Sequence, residues 1–192
     1  MTLPHPGLAS FVLAVAMACL SSCASSPSAD PVPFDTPDTS QFFSGTGGVS
    51  VVFELRCGSL DCHGQKSRPM RIYSANGLRL PASEMPAGDG GTASALGPGG
   101  GSTTNAEVVA NYQSIVALEP EQMAEVSKKG STTSPTTLLI MKKPLSIEAH
   151  KGGKVFTAQS HEAACLTGWL TRKPSPADCT TAVNEFPRDK NP

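Results

Sequence analysis

Four cysteines in two local pairs limit this 192-residue chain more than any other feature: four residues separate Cys57 from Cys62, and thirteen separate Cys165 from Cys179. Phe11 to Leu20, FVLAVAMACL, has the size of a secretory h-region and is too short to span a bilayer. In an exported chain disulfides persist, so each of these thiols pairs, binds something or stays reactive. Four cysteines allow three pairings, and the local ones need no crossing connection. Closing the loop between Cys165 and Cys179 would stabilise the fold by about 3 kcal/mol on the chain-entropy account. We expect that pair to be a disulfide.

Leu20 to Cys23 resembles the cleavage box of bacterial lipoproteins. The resemblance implies cleavage after Ser22, loss of residues 1–22 with Cys19, and acylation of Cys23. Several acyl chains would hold the protein on a membrane surface far more firmly than one. The expected location is the bacterial cell envelope, lipid-anchored on the periplasmic side or at the outer membrane. Residues 23–48 carry Pro27, Pro31, Pro33 and Pro37 among Ser, Thr and Asp, the composition of a disordered tether. Fifteen basic against sixteen acidic side chains leave a net charge of -1, which argues against a nucleic-acid partner.

The folded domain is expected over residues 49–181, with a flexible tail at 182–192. Val49, Val51, Val52, Phe53 and Leu55 form an apolar stretch ahead of Cys57 that is too short for periodicity to decide between strand and helix. Ile72-Tyr73 and Leu78 to Leu80 flank Asn76-Gly77, a possible small hairpin. Seven glycines between Pro86 and Ser102 read as a surface loop. Thr103 or Thr104 caps a helix with Val108, Val109, Tyr112, Ile115 and Val116 at helical spacing. Glu119-Pro120 starts a second helix with Met123 and Val126 inward and Gly130 as stop. Ser134-Pro135 starts a third that runs through Leu138 to Met141 and ends by Pro144. A fourth begins near Ser160 and carries Cys165, Leu166, Trp169 and Leu170. Four or five short helices make the domain mainly α.

Cys57-Gly58-Ser59-Leu60-Asp61-Cys62-His63-Gly64 carries the candidate chemistry. In covalent haem attachment two thiols add to the porphyrin vinyl groups, and a histidine directly after the second cysteine lies where it can ligate iron. Cys62 and His63 have that adjacency. The usual gap holds two residues and this one holds four, so two of Gly58 to Asp61 would bulge from the ring. The second axial position is open to His150, Met70, Met85, Met123 and Met141. We favour His150, because Gly152 and Gly153 let the backbone approach a flat cofactor. Met85-Pro86 comes next, and the bland alternatives are methionines as core fillers and His150 as a polar turn residue. His161 reads as a first-turn surface residue. Leu60, Met70, Leu78, Leu80, Val108, Tyr112, Leu138, Leu139, Ile140 and Trp169 would serve a haem pocket or an ordinary core equally. Two other readings of the cysteines stand: a Cys57–Cys62 disulfide without cofactor, and zinc on Cys57, Cys62, His63 and a fourth ligand such as His150. No Gly-x-Ser-x-Gly elbow, His-Glu-x-x-His or P-loop is present, so no enzyme is expected.

From Val51 to Thr171 the chain resembles the small c-type cytochrome domains of lipoproteins from myxobacteria and planctomycetes. The resemblance rests on Val51-Val-Phe-Glu-Leu55, Cys62-His63-Gly64, Gly77-Leu-Arg-Leu80, Ser134 to Pro144 with its Leu-Leu run and Lys-Pro end, His150-Lys-Gly-Gly153 and Gly168-Trp-Leu170, in that order. It implies a helix before Cys57, haem c on Cys57 and Cys62, and His63 as proximal ligand. The implied function is electron transfer with redox partner proteins of the cell envelope. The alternative is a cofactor-free lipoprotein, stapled by disulfides, that acts as an interaction or structural module.

Overall fold

Helix starts in this protein are set by a few capping side chains. Thr104 and Glu107 form a reciprocal capping box, in which Glu107 N–H donates to Thr104 Oγ1 and Thr104 N–H donates to Glu107 Oε2. Ser160 accepts from Ala163 N–H, and Pro120 and Pro176 occupy first-turn positions where no amide donor is needed. The computed structural model describes residues 35–84 and 102–186. The chain divides into Met1–Pro33 and Phe34–Pro192, and every described residue belongs to the second unit. The expected signal segment, Cys23, Met85 and nearly all of the Gly-rich run lie outside the described residues.

The helices are α1 (Thr39–Phe42), α2 (Val49–Cys57), α3 (Asn105–Val116), α4 (Pro120–Ser127), α5 (Leu139–Lys142), α6 (His161–Leu170) and α7 (Pro176–Asn184). The domain is mainly α. The apolar stretch that sequence left undecided is helix α2. Among the described residues no helix is long and apolar enough to cross a membrane.

Trp169 of α6 is fully buried at the centre, with Phe42, Phe53 and Tyr112 around it at ring-centroid distances of 5.3, 6.1 and 6.4 Å. Such aromatic pairs contribute about 0.5–1.5 kcal/mol each beyond the area they bury. α6 packs on α7, and the Cys165–Cys179 disulfide joins them with a Cα–Cα distance of 4.8 Å. α2 packs against both and against α3.

Four expectations need correction. Residues 35–48 are not loose tether: Phe42 is fully buried, Tyr112 Oη donates to Pro37 O at 2.9 Å, and Trp169 Nε1 donates to Asp38 O at 2.9 Å. The folded region also extends past residue 181, because α7 continues to Asn184 and buries Ala182 and Val183. The Ser134-Pro135 helix is broken. Residues Pro135–Thr137 form a 3-10 turn capped by Ser134, Leu138 is extended, and α5 begins only at Leu139.

The hairpin is reduced to a single bridge between Tyr73 and Leu78. Within 71–80 the backbone keeps Ser74 N–H on Leu78 O and Gly77 N–H on Ser74 O, and several other backbone groups bond to side chains of α3. Asn111, fully buried, accepts from Tyr73 N–H at 2.6 Å and donates to Tyr73 O at 2.9 Å; Ser114 Oγ accepts from Arg71 N–H, and Glu107 Oε1 from Leu80 N–H. Glu107, with no exposed surface, also takes a two-pronged ion pair from Arg79 at 2.8 and 3.0 Å. The Gly77-Leu-Arg-Leu80 stretch is thus docked through Arg79.

Candidate cofactor site

α2 ends at Cys57, and the following residues turn tightly enough for His63 N–H to donate to Cys57 O at 2.8 Å. Cys62 N–H and Gly64 N–H both donate to Ser59 O, and His63 O accepts from Ile72 N–H. The backbone on both sides of His63 is therefore held. The loop needs glycine where chain segments meet: a Cβ on Gly77 would lie 1.8 Å from Gly58 O, and one on Gly64 would lie 2.3 Å from the same oxygen. Ser74 Oγ completes the cluster by donating to Gly58 O at 2.7 Å.

His63 Nδ1 lies 2.9 Å from Met70 O. A carbonyl only accepts, so Nδ1 carries the proton and the lone pair of the neutral ring is on Nε2. Burial holds the His63 pKa below its ordinary value, and nearby His150 and Arg68 push the same way. The neutral ring is the form that ligates a metal. A hydrogen bond from the other nitrogen to a backbone carbonyl is how metal-bound imidazoles are oriented.

His150 repeats the arrangement. Its Nδ1 lies 3.0 Å from Gly153 O, closing a turn in which Gly153 has φ +69° and Gly153 N–H donates back to His150 O. A Cβ on Gly152 would sit 3.1 Å from His150 Cε1, a tight contact against the ring. The two imidazoles face each other with centroids 6.3 Å apart and planes 18° apart. Two metal–nitrogen bonds of about 2 Å in line, with about 1.1 Å from each nitrogen to its ring centre, give a separation of about 6 Å for two imidazoles on one metal. The observed centroid separation of 6.3 Å matches that length. Neither Nε2 has a hydrogen-bond partner among the described residues.

The other candidates separate clearly. Met123 and Met141 are buried in the core, Met70 is buried and serves through its carbonyl, and Met85 is outside the described residues. Cys57 and Cys62 are free thiols, not joined to each other. Burial, then the neighbouring Cys62, pushes the Cys57 pKa up to about 12, so the thiol stays protonated at neutral pH. Among the described residues no three His, Cys, Asp or Glu side chains are grouped to hold a metal ion, which leaves the zinc reading without its tetrahedral set. His161 is an exposed residue in the first turn of α6 and pairs with Asp178. Leu60, expected inside, is 45% exposed because it sits on the outward bulge between the two cysteines.

Comparison with known protein families, curated proteins and solved structures finds no match to this chain. Sequence reasoning missed the carbonyls of Met70 and Gly153 that aim the rings, because a backbone acceptor leaves no trace in residue identity. It also missed α7, although Ser175-Pro176 repeats the Ser-Pro start used at Ser134.

Proposed function

We propose that this protein is an envelope lipoprotein whose domain holds haem c and passes single electrons between partner proteins. The residues that would hold the group are Cys57 and Cys62 through their sulfurs, and His63 and His150 through Nε2. Bound there, haem supplies a one-electron ferric/ferrous couple. The observation that carries the reading is the facing pair of His63 and His150, near parallel at 6.3 Å, each with Nδ1 on a backbone carbonyl. Two imidazole ligands favour a lower potential than a Met/His pair. The resemblance to the small cytochrome domains of myxobacterial and planctomycete lipoproteins points the same way, and the lipid anchor on Cys23 belongs to the same proposal.

The chain's own residues supply position. The Gly58, Gly64 and Gly77 contacts hold the cysteine loop, the Met70 carbonyl fixes the tautomer of His63, and Gly152 and Gly153 seat His150. The test is expression in a bacterium with covalent haem-attachment machinery, followed by a visible spectrum of the denatured, washed protein. Retained haem absorption that disappears in a Cys57→Ala, Cys62→Ala double variant is the expected result. Colourless protein, with Cys57 and Cys62 found bonded to each other by mass spectrometry, overturns the reading in favour of a cofactor-free stapled module.

A further inference from the structure

The two segments that meet at the facing histidines differ in charge from the rest of the chain. Residues 57–73 and 142–154 together hold seven Lys or Arg against Asp61 and Glu148, a balance of +5 in a chain whose net charge is -1. The remainder carries -6. Lys66, Arg71, Lys151 and Lys154 are exposed. Glu148 is taken up by Lys143 in an ion pair at 2.5 Å. Arg68 lies close enough to His63 to lower its pKa, and it donates to Cys62 O at 3.0 Å.

The same two segments expose apolar side chains. Leu60, between the cysteines, is 45% exposed, and Ile147, three residues before His150, is 60% exposed. A few apolar side chains within a charged rim are the composition of a small, short-lived protein interface, and charge complementarity there speeds encounter more than it deepens affinity.

We infer that this basic face around His63 and His150 is the docking surface for an acidic protein partner, which binds through a local carboxylate cluster set against Leu60 and Ile147. The exposed apolar side chains of Leu60 and Ile147 beside the basic residues favour a protein surface, which offers apolar area together with carboxylates, over a polyanion, which offers charge alone. The inference names the partner class for the electron-transfer reading and rests on that reading for its purpose, though not for the surface itself.

The test titrates the isotope-labelled full chain with decaglutamate as the probe and follows amide resonances. Expected are shifts confined to residues 57–73 and 142–154, and an apparent affinity that falls roughly tenfold between about 20 and about 200 mM salt. A Lys66→Glu, Lys151→Glu, Lys154→Glu variant loses binding by at least the same factor, whereas Lys128→Glu, Lys129→Glu does not. Absence of binding, shifts spread elsewhere, or equal loss in both variants overturns the inference. So does tighter binding to vesicles of anionic phospholipid or to a single-stranded oligonucleotide than to decaglutamate. The visible spectrum of the same sample reports haem independently, so a colourless chain that still binds decaglutamate removes the electron and keeps the surface.

Discussion

The imidazoles of His63 and His150 lie 18° from parallel with their centres 6.3 Å apart, and each turns Nδ1 toward a backbone carbonyl. The two rings are stacked, one beside the other, where the cysteine loop meets the turn after Glu148. With each Nδ1 engaged in this way, the lone pair of each neutral ring is on Nε2, the atom that would hold a metal.

Replacing His150 tests that relationship directly. In the haem-loaded protein, His150→Met raises the reduction potential above that of the parent, because a thioether stabilises the ferrous state more than an imidazole does. His150→Ala opens the position to carbon monoxide in the ferrous form. Potentiometry and the carbon monoxide difference spectrum read the two outcomes; an unchanged potential and no new ligand binding exclude His150 from the site.

Gly77 separates packing from chemistry. Its Cβ in Gly77→Ala would fall 1.8 Å from Gly58 O, an overlap that only movement of the cysteine loop relieves. Overpacking of this kind costs about 1–3 kcal/mol, occasionally more. Urea unfolding should show a loss of at least about 2 kcal/mol, and a variant as stable as the parent would mean that this contact yields easily.

The pair of Arg79 and Glu107 holds residues 71–80 on α3. Removing one partner of a buried ion pair costs about 3–5 kcal/mol, because the other is left charged and desolvated. Arg79→Met should fall in that range by denaturant titration. The double change Arg79→Met, Glu107→Leu should recover part of the loss, although Thr104 N–H and Leu80 N–H then lose their acceptor. A double variant worse than the sum of the singles would overturn the ion-pair account.

His161 gives the domain a stability term near neutral pH. Its pKa is raised above 6.5 by the hydrogen bond to Asp178, with Glu185 and Glu162 contributing negative charge. A raised folded value means that the stabilisation is complete below pH 6.5 and is lost as pH rises through the folded pKa. Asp178, lowered by Ser175 and His161, loses its share at the acid end, as pH falls through its own folded value below 3.8. Proton resonance titration of His161 should return toward 6.5 in Asp178→Asn. No movement would show that the contact is not populated in solution.

Much of the helical framework is legible in the residues. Thr104 with Glu107, Ser160 with Ala163, and Pro120 after Glu119 act within one turn, so a local reading captures them. The same locality explains the errors. Leu138 breaks what spacing reads as one helix, and residues 71–80 give up a hairpin because Asn111, Ser114 and Glu107 of α3 take their backbone groups. Phe42 looks like tether by its Pro-rich surroundings, yet Trp169 and Tyr112 are there to cover it.

By itself the sequence determined the mainly α class, the local Cys165–Cys179 pair, and the adjacency of Cys62 and His63, all of which depend on neighbours along the chain. Only the tertiary structure decided that His150, and not a methionine of the described residues, faces His63. It also decided that two segments distant in sequence meet at those two rings. Those outcomes depend on how α2, α3 and the loop after α5 pack in space, and the packing free energy that selects such contacts is shared among residues with no regular spacing between them.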